Sequence, residues 1–137
     1  MDTSIRQPAR ARLITAEDRE VPVSATLRYT VRDPLAVFVD FPPEVALDGE
    51  GVTWTFARSL LDAGLAAPAG DGDVRVRPCG ASCTLLEFRA PHGVALLGFG
   101  TGALRRFLRR SYAVVAAGEE DVVTAVERGL GTLFGGV

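Results

Sequence analysis

Apolar and polar positions alternate with a period of two through much of the first half of the chain. Residues 9–15 (ARARLIT) alternate small or apolar side chains with arginine, and residues 21–31 (VPVSATLRYTV) are rich in valine and threonine. Both patterns predict strands, joined by the charged turn AEDRE. Asp33-Pro34 interrupts, and the β-branched and aromatic run at 35–41 (LAVFVDF) predicts a third strand. Two prolines and Asp48-Gly49 make residues 42–51 a loop. A fourth strand follows at 52–56 (VTWTF), where Val52, Trp54 and Phe56 share one side and the threonines the other.

Helical spacing then takes over at 57–65 (ARSLLDAGL), with Leu60 and Leu61 on an apolar face and Gly64 placed to close the helix in the left-handed conformation. Residues 74–78, 83–90 and 93–99 predict three more strands, and their short connections suit antiparallel neighbours. In a helix from residue 103 to about 113, Leu104, Phe107 and Leu108 fall on one face. A third helix is expected in 119–134, where Val122, Val126 and Leu130 share a stripe behind an acidic start. Strands, a short helix, more strands and two helices make an α+β fold with an antiparallel sheet, the sheet–helix order occurring twice. Residues 1–8 are polar and are expected to form a disordered tail before a single domain at 9–137. The candidate core is Leu27, Tyr29, Trp54, Phe56, Leu60, Leu61, Leu104, Phe107 and Leu108.

Composition narrows the chemistry. Of 137 residues, 47% are hydrophobic and 23% charged, a globular balance, and a net charge of −2 supplies no bulk positive field toward nucleic acid or anionic lipid. All 15 basic residues are arginine. Schiff-base catalysis and a Walker A lysine are thereby excluded. No run approaches the length of a signal peptide or membrane span, so a cytoplasmic location is expected. Cys79 and Cys83 are the only cysteines and His92 the only histidine, too few ligands for a metal site, and the cysteines read as free thiols. No cofactor and no metal are expected.

Five candidates compete for a role. Gly98, Gly100 and Ala103 match the G-x-G-x-x-G/A spacing of a dinucleotide-binding turn, but that turn works inside a βαβ unit. Here a meander precedes it and a helical pattern follows, so the glycines read as a strand-to-helix turn with Thr101 as N-cap. His92 reads as a solvated turn residue, and Asp71 and Asp73 as turn chemistry rather than a calcium loop. Arg75 and Arg77, with Arg10 and Arg12, offer either a solvated strand face or a basic face for single-stranded nucleic acid, although neither strand contains an aromatic for base stacking. Arg105, Arg106, Arg109 and Arg110 form two i, i+4 pairs, the densest basic patch. They read as a solvated face, a site for an acidic protein partner, or a nucleic-acid contact.

Several stretches together resemble one family. They are Leu27-Arg28-Tyr29, D-P-x-A-V at 33–37, W-x-F-A-R-x-L-L-x-x-G-L at 54–65, and G-x-G-D-V-R-V-x-P at 70–78. The chain resembles the SsgA-like family of actinobacterial sporulation and cell-division proteins over residues 13–130. The resemblance implies a whirly-like architecture, similar to single-stranded nucleic-acid-binding proteins, assembled as a homotrimer. It implies a non-enzymatic adaptor without catalytic residues or small-molecule substrate, recruited to the division septum and reaching the membrane only through it. Its partners would be cell-division proteins such as the tubulin-like FtsZ or another SsgA-like protein. The alternative is a single-stranded DNA or RNA binder using the sheet. The glycine turn at 98–102 and the PCGASC loop depart from the family pattern.

Overall fold

The computed structural model describes residues 3–43, 51–91 and 93–120. Seven strands, β1 (Ser4–Ile14), β2 (Glu20–Thr30), β3 (Ala36–Phe41), β4 (Val52–Ala57), β5 (Val74–Cys79), β6 (Cys83–Ala90) and β7 (Gly93–Gly100), form one sheet in the order β4-β3-β2-β1-β7-β6-β5. Every pairing is antiparallel. Helix α1 (Arg58–Ala66) follows β4, and α2 (Thr101–Val114) follows β7. This is the α+β, antiparallel-sheet class.

The sheet curls until its two wings meet. Phe88, on β6 and fully buried, packs against Phe41 of β3 and against Trp54 and Phe56 of β4, at ring-centroid distances of 5.8, 4.9 and 6.1 Å. Such offset and edge-on aromatic contacts add to the burial itself. Leu27, Tyr29, Phe56, Leu61, Leu104, Phe107 and Leu108 are buried in the same core, with Trp54 and Leu60 partly buried against it.

The N-terminal expectation needs correction. Residues 4–8 are not a frayed tail: they extend β1 and pair with Thr26 to Thr30 of β2. Alternation holds throughout, with Ile5, Gln7, Ala9 and Ala11 inward and Arg6, Pro8, Arg10 and Arg12 outward. A polar Gln7 at an inward position disguised the period. Its amide is satisfied by donating to Ala103 O (2.9 Å) and accepting from Arg110 Nη1 (3.1 Å). Pro8 is tolerated because β1 pairs with β7 only over Ala11 to Ile14, so Pro8 faces no ladder on that side.

Two local expectations also change. Gly64 lies inside α1 and has no left-handed backbone; a Cβ there would overlap the Val76 side chain, so glycine lets α1 sit directly on β5. Thr101 is the first residue of α2 rather than its cap. Gly100 occupies the N-cap, and the Thr101 hydroxyl bonds Thr84 Oγ1 at 2.8 Å. After α1, Ala69 exchanges both backbone bonds with Val76 (2.8 and 3.0 Å), covering the outer edge of β5. The third helix and His92 lie outside the described residues.

Candidate functional site

Helix α2 presents two different flanks. Leu104, Phe107, Leu108 and Ser111 are buried, which leaves the arginines on the remaining surface. Arg105 and Arg109 face α1, where they line a shallow open groove of about 290 Å³ with Asp62, Leu65, Ala66, Leu108 and Tyr112. Arg110 turns the other way, to Gln7 of β1. The four arginines are therefore not one patch: the two i, i+4 pairs diverge around the helix. Among the described residues, Arg105, Arg106 and Arg109 form no ion pair.

The groove floor is fixed from below by Arg58, the first residue of α1, only 1% exposed. Its Nη1 donates to Val115 O (2.8 Å) and Ser111 Oγ (3.3 Å), and its Nη2 to Glu120 Oε2 (2.7 Å). The guanidinium lies between the rings of Tyr29 and Tyr112, at 4.8 and 4.3 Å from their centroids. A cation at the start of α1 opposes that helix's dipole, yet the same charge reaches the C-cap carbonyl of α2, where cations are favoured. Arg58 thus supplies from another element the cap α2 lacks in its own last turn. Its hydrogen bond holds Glu120 below the usual carboxylate range. Burial pushes the Tyr29 hydroxyl up, partly offset by Arg58, while that hydroxyl donates to Pro34 O at 2.9 Å. Burial, and then donation to Asp62 Oδ2 at 2.7 Å, hold the Tyr112 hydroxyl protonated far above its ordinary value. Tyr112 thereby ties α2 to α1 across the groove.

Sequence reasoning named Arg58 only within a motif. The signal was nevertheless there: Arg58, Leu61 and Leu65 are spaced i, i+3, i+7, which puts an arginine on the apolar face of α1.

The other candidates separate. Arg75, Arg77 and Arg89 converge on Glu87 (4.0, 4.0 and 3.0 Å), and Arg12 pairs with Glu20 at 3.2 Å. Arg28 grips Asp40 through two bonds (2.9 and 3.1 Å) over the Phe38 ring, and Thr53 donates to the same carboxylate at 2.6 Å. The Gly98–Ala103 turn leaves β7, which is antiparallel to both its neighbours, so no βαβ unit surrounds it. The described residues contain no cluster of three or more His, Cys, Asp or Glu suited to a metal ion. None of their helices is long and apolar enough to cross a membrane.

A family model described as Streptomyces sporulation and cell division protein, SsgA, matches residues 23–120. The chain belongs to the SsgA family. It is 45% identical over 133 residues to the sporulation-specific cell division protein SsgB of Salinispora tropica, covering 92% of each chain. To SsgB of Streptomyces coelicolor it is 39% identical over 123 residues, 88% of each. Among solved structures, an SsgB described through mutations that correlate with longitudinal cell division during sporulation of S. coelicolor superposes with a TM-score of 0.80. Identity there is 36%, over 90% of this chain and 97% of that one. The SsgA-like sporulation-specific cell division protein of Thermobifida fusca gives 0.82 at 34% identity, over 93% of both.

Proposed function

We propose that this SsgA-family chain acts in sporulation-specific cell division as a non-catalytic adaptor that binds a division protein at the septum, working as a homotrimer. The relatives' names support the process. The observation that carries the mechanism is the groove between α1 and α2: an apolar floor of Leu65, Leu108 and Tyr112 beside two arginines, Arg105 and Arg109, that form no ion pair among the described residues, the carboxylate on the lining, Asp62, being engaged by Tyr112. Such a surface suits an acidic segment carrying apolar anchors, with charge steering the encounter and apolar contact holding it. The occupant in this reading is a division protein such as the tubulin-like FtsZ or another SsgA-like chain.

A whirly-like architecture belongs to the same proposal, as a relationship of form and not of ligand. Against oligonucleotide binding stands the outer sheet face, where Arg75, Arg77 and Arg89 share Glu87, and neither β1 nor β5 has an aromatic to stack on a base.

The test pairs light scattering with co-sedimentation. Wild type is expected at three chain masses and to pellet with FtsZ polymers, while R105E/R109E keeps the mass and loses the pelleting. A strict monomer at micromolar concentration overturns the assembly, and undiminished pelleting of the variant overturns the docking face.

A further inference from the structure

Strand β5 ends on Cys79 and β6 begins on Cys83, and the two are directly opposed in the antiparallel ladder. Between them runs the loop Gly80–Ala81–Ser82, in which Gly80 takes a left-handed φ of +76° that a side chain would disfavour. Directly opposed residues of an antiparallel pair have Cα atoms about 4.5–5.5 Å apart and project to the same face, which lies inside the roughly 4.4–6.8 Å range of disulfides. The register therefore brings the two thiols within the range from which a disulfide can close. Cys79 is exposed and Cys83 half-buried. The Cys83 sulfur packs beside Gly98 of β7, 3.6 Å from where a Cβ would stand, at ordinary van der Waals distance. Burial raises the Cys83 thiol above its ordinary range, and contact with Cys79 adds to this.

We propose that Cys79 and Cys83 are a reversible dithiol site, closed to a cross-strand disulfide by exchange with a low-molecular-weight disulfide. The exposed Cys79, as thiolate, attacks one sulfur of RS–SR. That S–S bond breaks, RS⁻ leaves and takes up a proton, and Cys79 carries a mixed disulfide. Cys83 then gives its proton to solvent and attacks the Cys79 sulfur, forming the Cys79–Cys83 bond and expelling the second RS⁻. Two protein thiols are oxidised by two electrons, and RS–SR is reduced to two RSH. The bond would clamp a loop already tied to α2, since Ser82 O accepts the Thr101 amide at 2.9 Å and Thr84 bonds Thr101 through their hydroxyls. The site is separate from the α1–α2 groove and does not depend on the partner assigned to it.

The experiment equilibrates the folded full chain with glutathione buffers of graded oxidation, quenches with acid, alkylates with a maleimide and reads the intact mass. In excess oxidised glutathione the wild type is expected to lose two hydrogens and accept no maleimide, and dithiothreitol restores two reactive thiols. C83S is expected to stop at a single glutathionyl adduct on Cys79, the trapped intermediate. Three results each overturn the proposal: wild type that still takes two maleimides after oxidation, wild type carrying two separate glutathione adducts, or disulfide-linked chains on a non-reducing gel.

Discussion

Replacing Arg58 by methionine removes a charge of nearly matched length from the join between α1, α2 and β2. Three hydrogen bonds disappear: Val115 O and Ser111 Oγ lose the Arg58 donor, while Glu120 keeps the Gly118 amide at 2.8 Å. Breaking a buried ion pair by removing one partner costs about 3–5 kcal/mol. Glu120 is 15% exposed and can turn toward water, which places the loss at the lower end, about 3 kcal/mol. With an m-value of about 2 kcal/mol/M, the urea midpoint falls by about 1.5 M. Trp54 is the only tryptophan and packs on Phe88, so its fluorescence reports the transition. Glu120→Gln separates the charge from the packing. Folded Glu120 sits below its ordinary 4.5, so its stabilisation is complete above that value and is lost as pH falls through the lowered one. Wild type and Glu120→Gln are therefore expected to differ by about 1 kcal/mol at pH 7 and to converge only as pH falls beneath the ordinary 4.5 and through the lowered value. An Arg58→Met loss under about 1 kcal/mol, or a difference from Glu120→Gln that persists in acid, would refute the hub.

Three further outcomes follow from packing and pairing. Gly64→Ala forces a methyl into Val76 and is expected to cost about 2 kcal/mol in urea melts, where a helix-interior glycine otherwise gains from alanine. Phe88→Ala empties the contact between the two wings of the sheet and is expected to cost about 3–5 kcal/mol, with a blue-to-red change in native Trp54 emission. Asp40→Asn is expected to cost about 1 kcal/mol at neutral pH. Arg28 holds the Asp40 carboxyl below its ordinary 3.8, so that difference disappears only as pH drops beneath 3.8, as thermal melts against pH would read.

Periodicity carried most of the architecture, because a sheet with one buried face writes its inward positions directly into the sequence. Strands β2 to β7 and both described helices were legible in this way, as was the antiparallel pairing of β5, β6 and β7, through connections too short for crossovers. What escaped were polar groups doing inward duty. Gln7 looked like solvated tail because its partners, Ala103 and Arg110, lie some hundred residues away. Arg58 looked like a helix-start surface charge because its acceptors come from the far end of α2. Helical spacing of four residues also grouped Arg105, Arg106, Arg109 and Arg110 correctly by neighbourhood but not by flank; only the position of α1 shows that Arg105 and Arg109 share a groove while Arg110 belongs to β1.

The bridge from Ala69 to Val76 gives the sheet a polarity. Amides and carbonyls on the margin of β5 are already engaged there, whereas β4 has no neighbour beyond it among the described residues. Among the described residues, the margin of β4 beside Thr53 and Thr55 is open to lateral growth, whether ordered joining to another molecule or accidental aggregation. A proline introduced on the outward-facing amide side of β4 would close that margin.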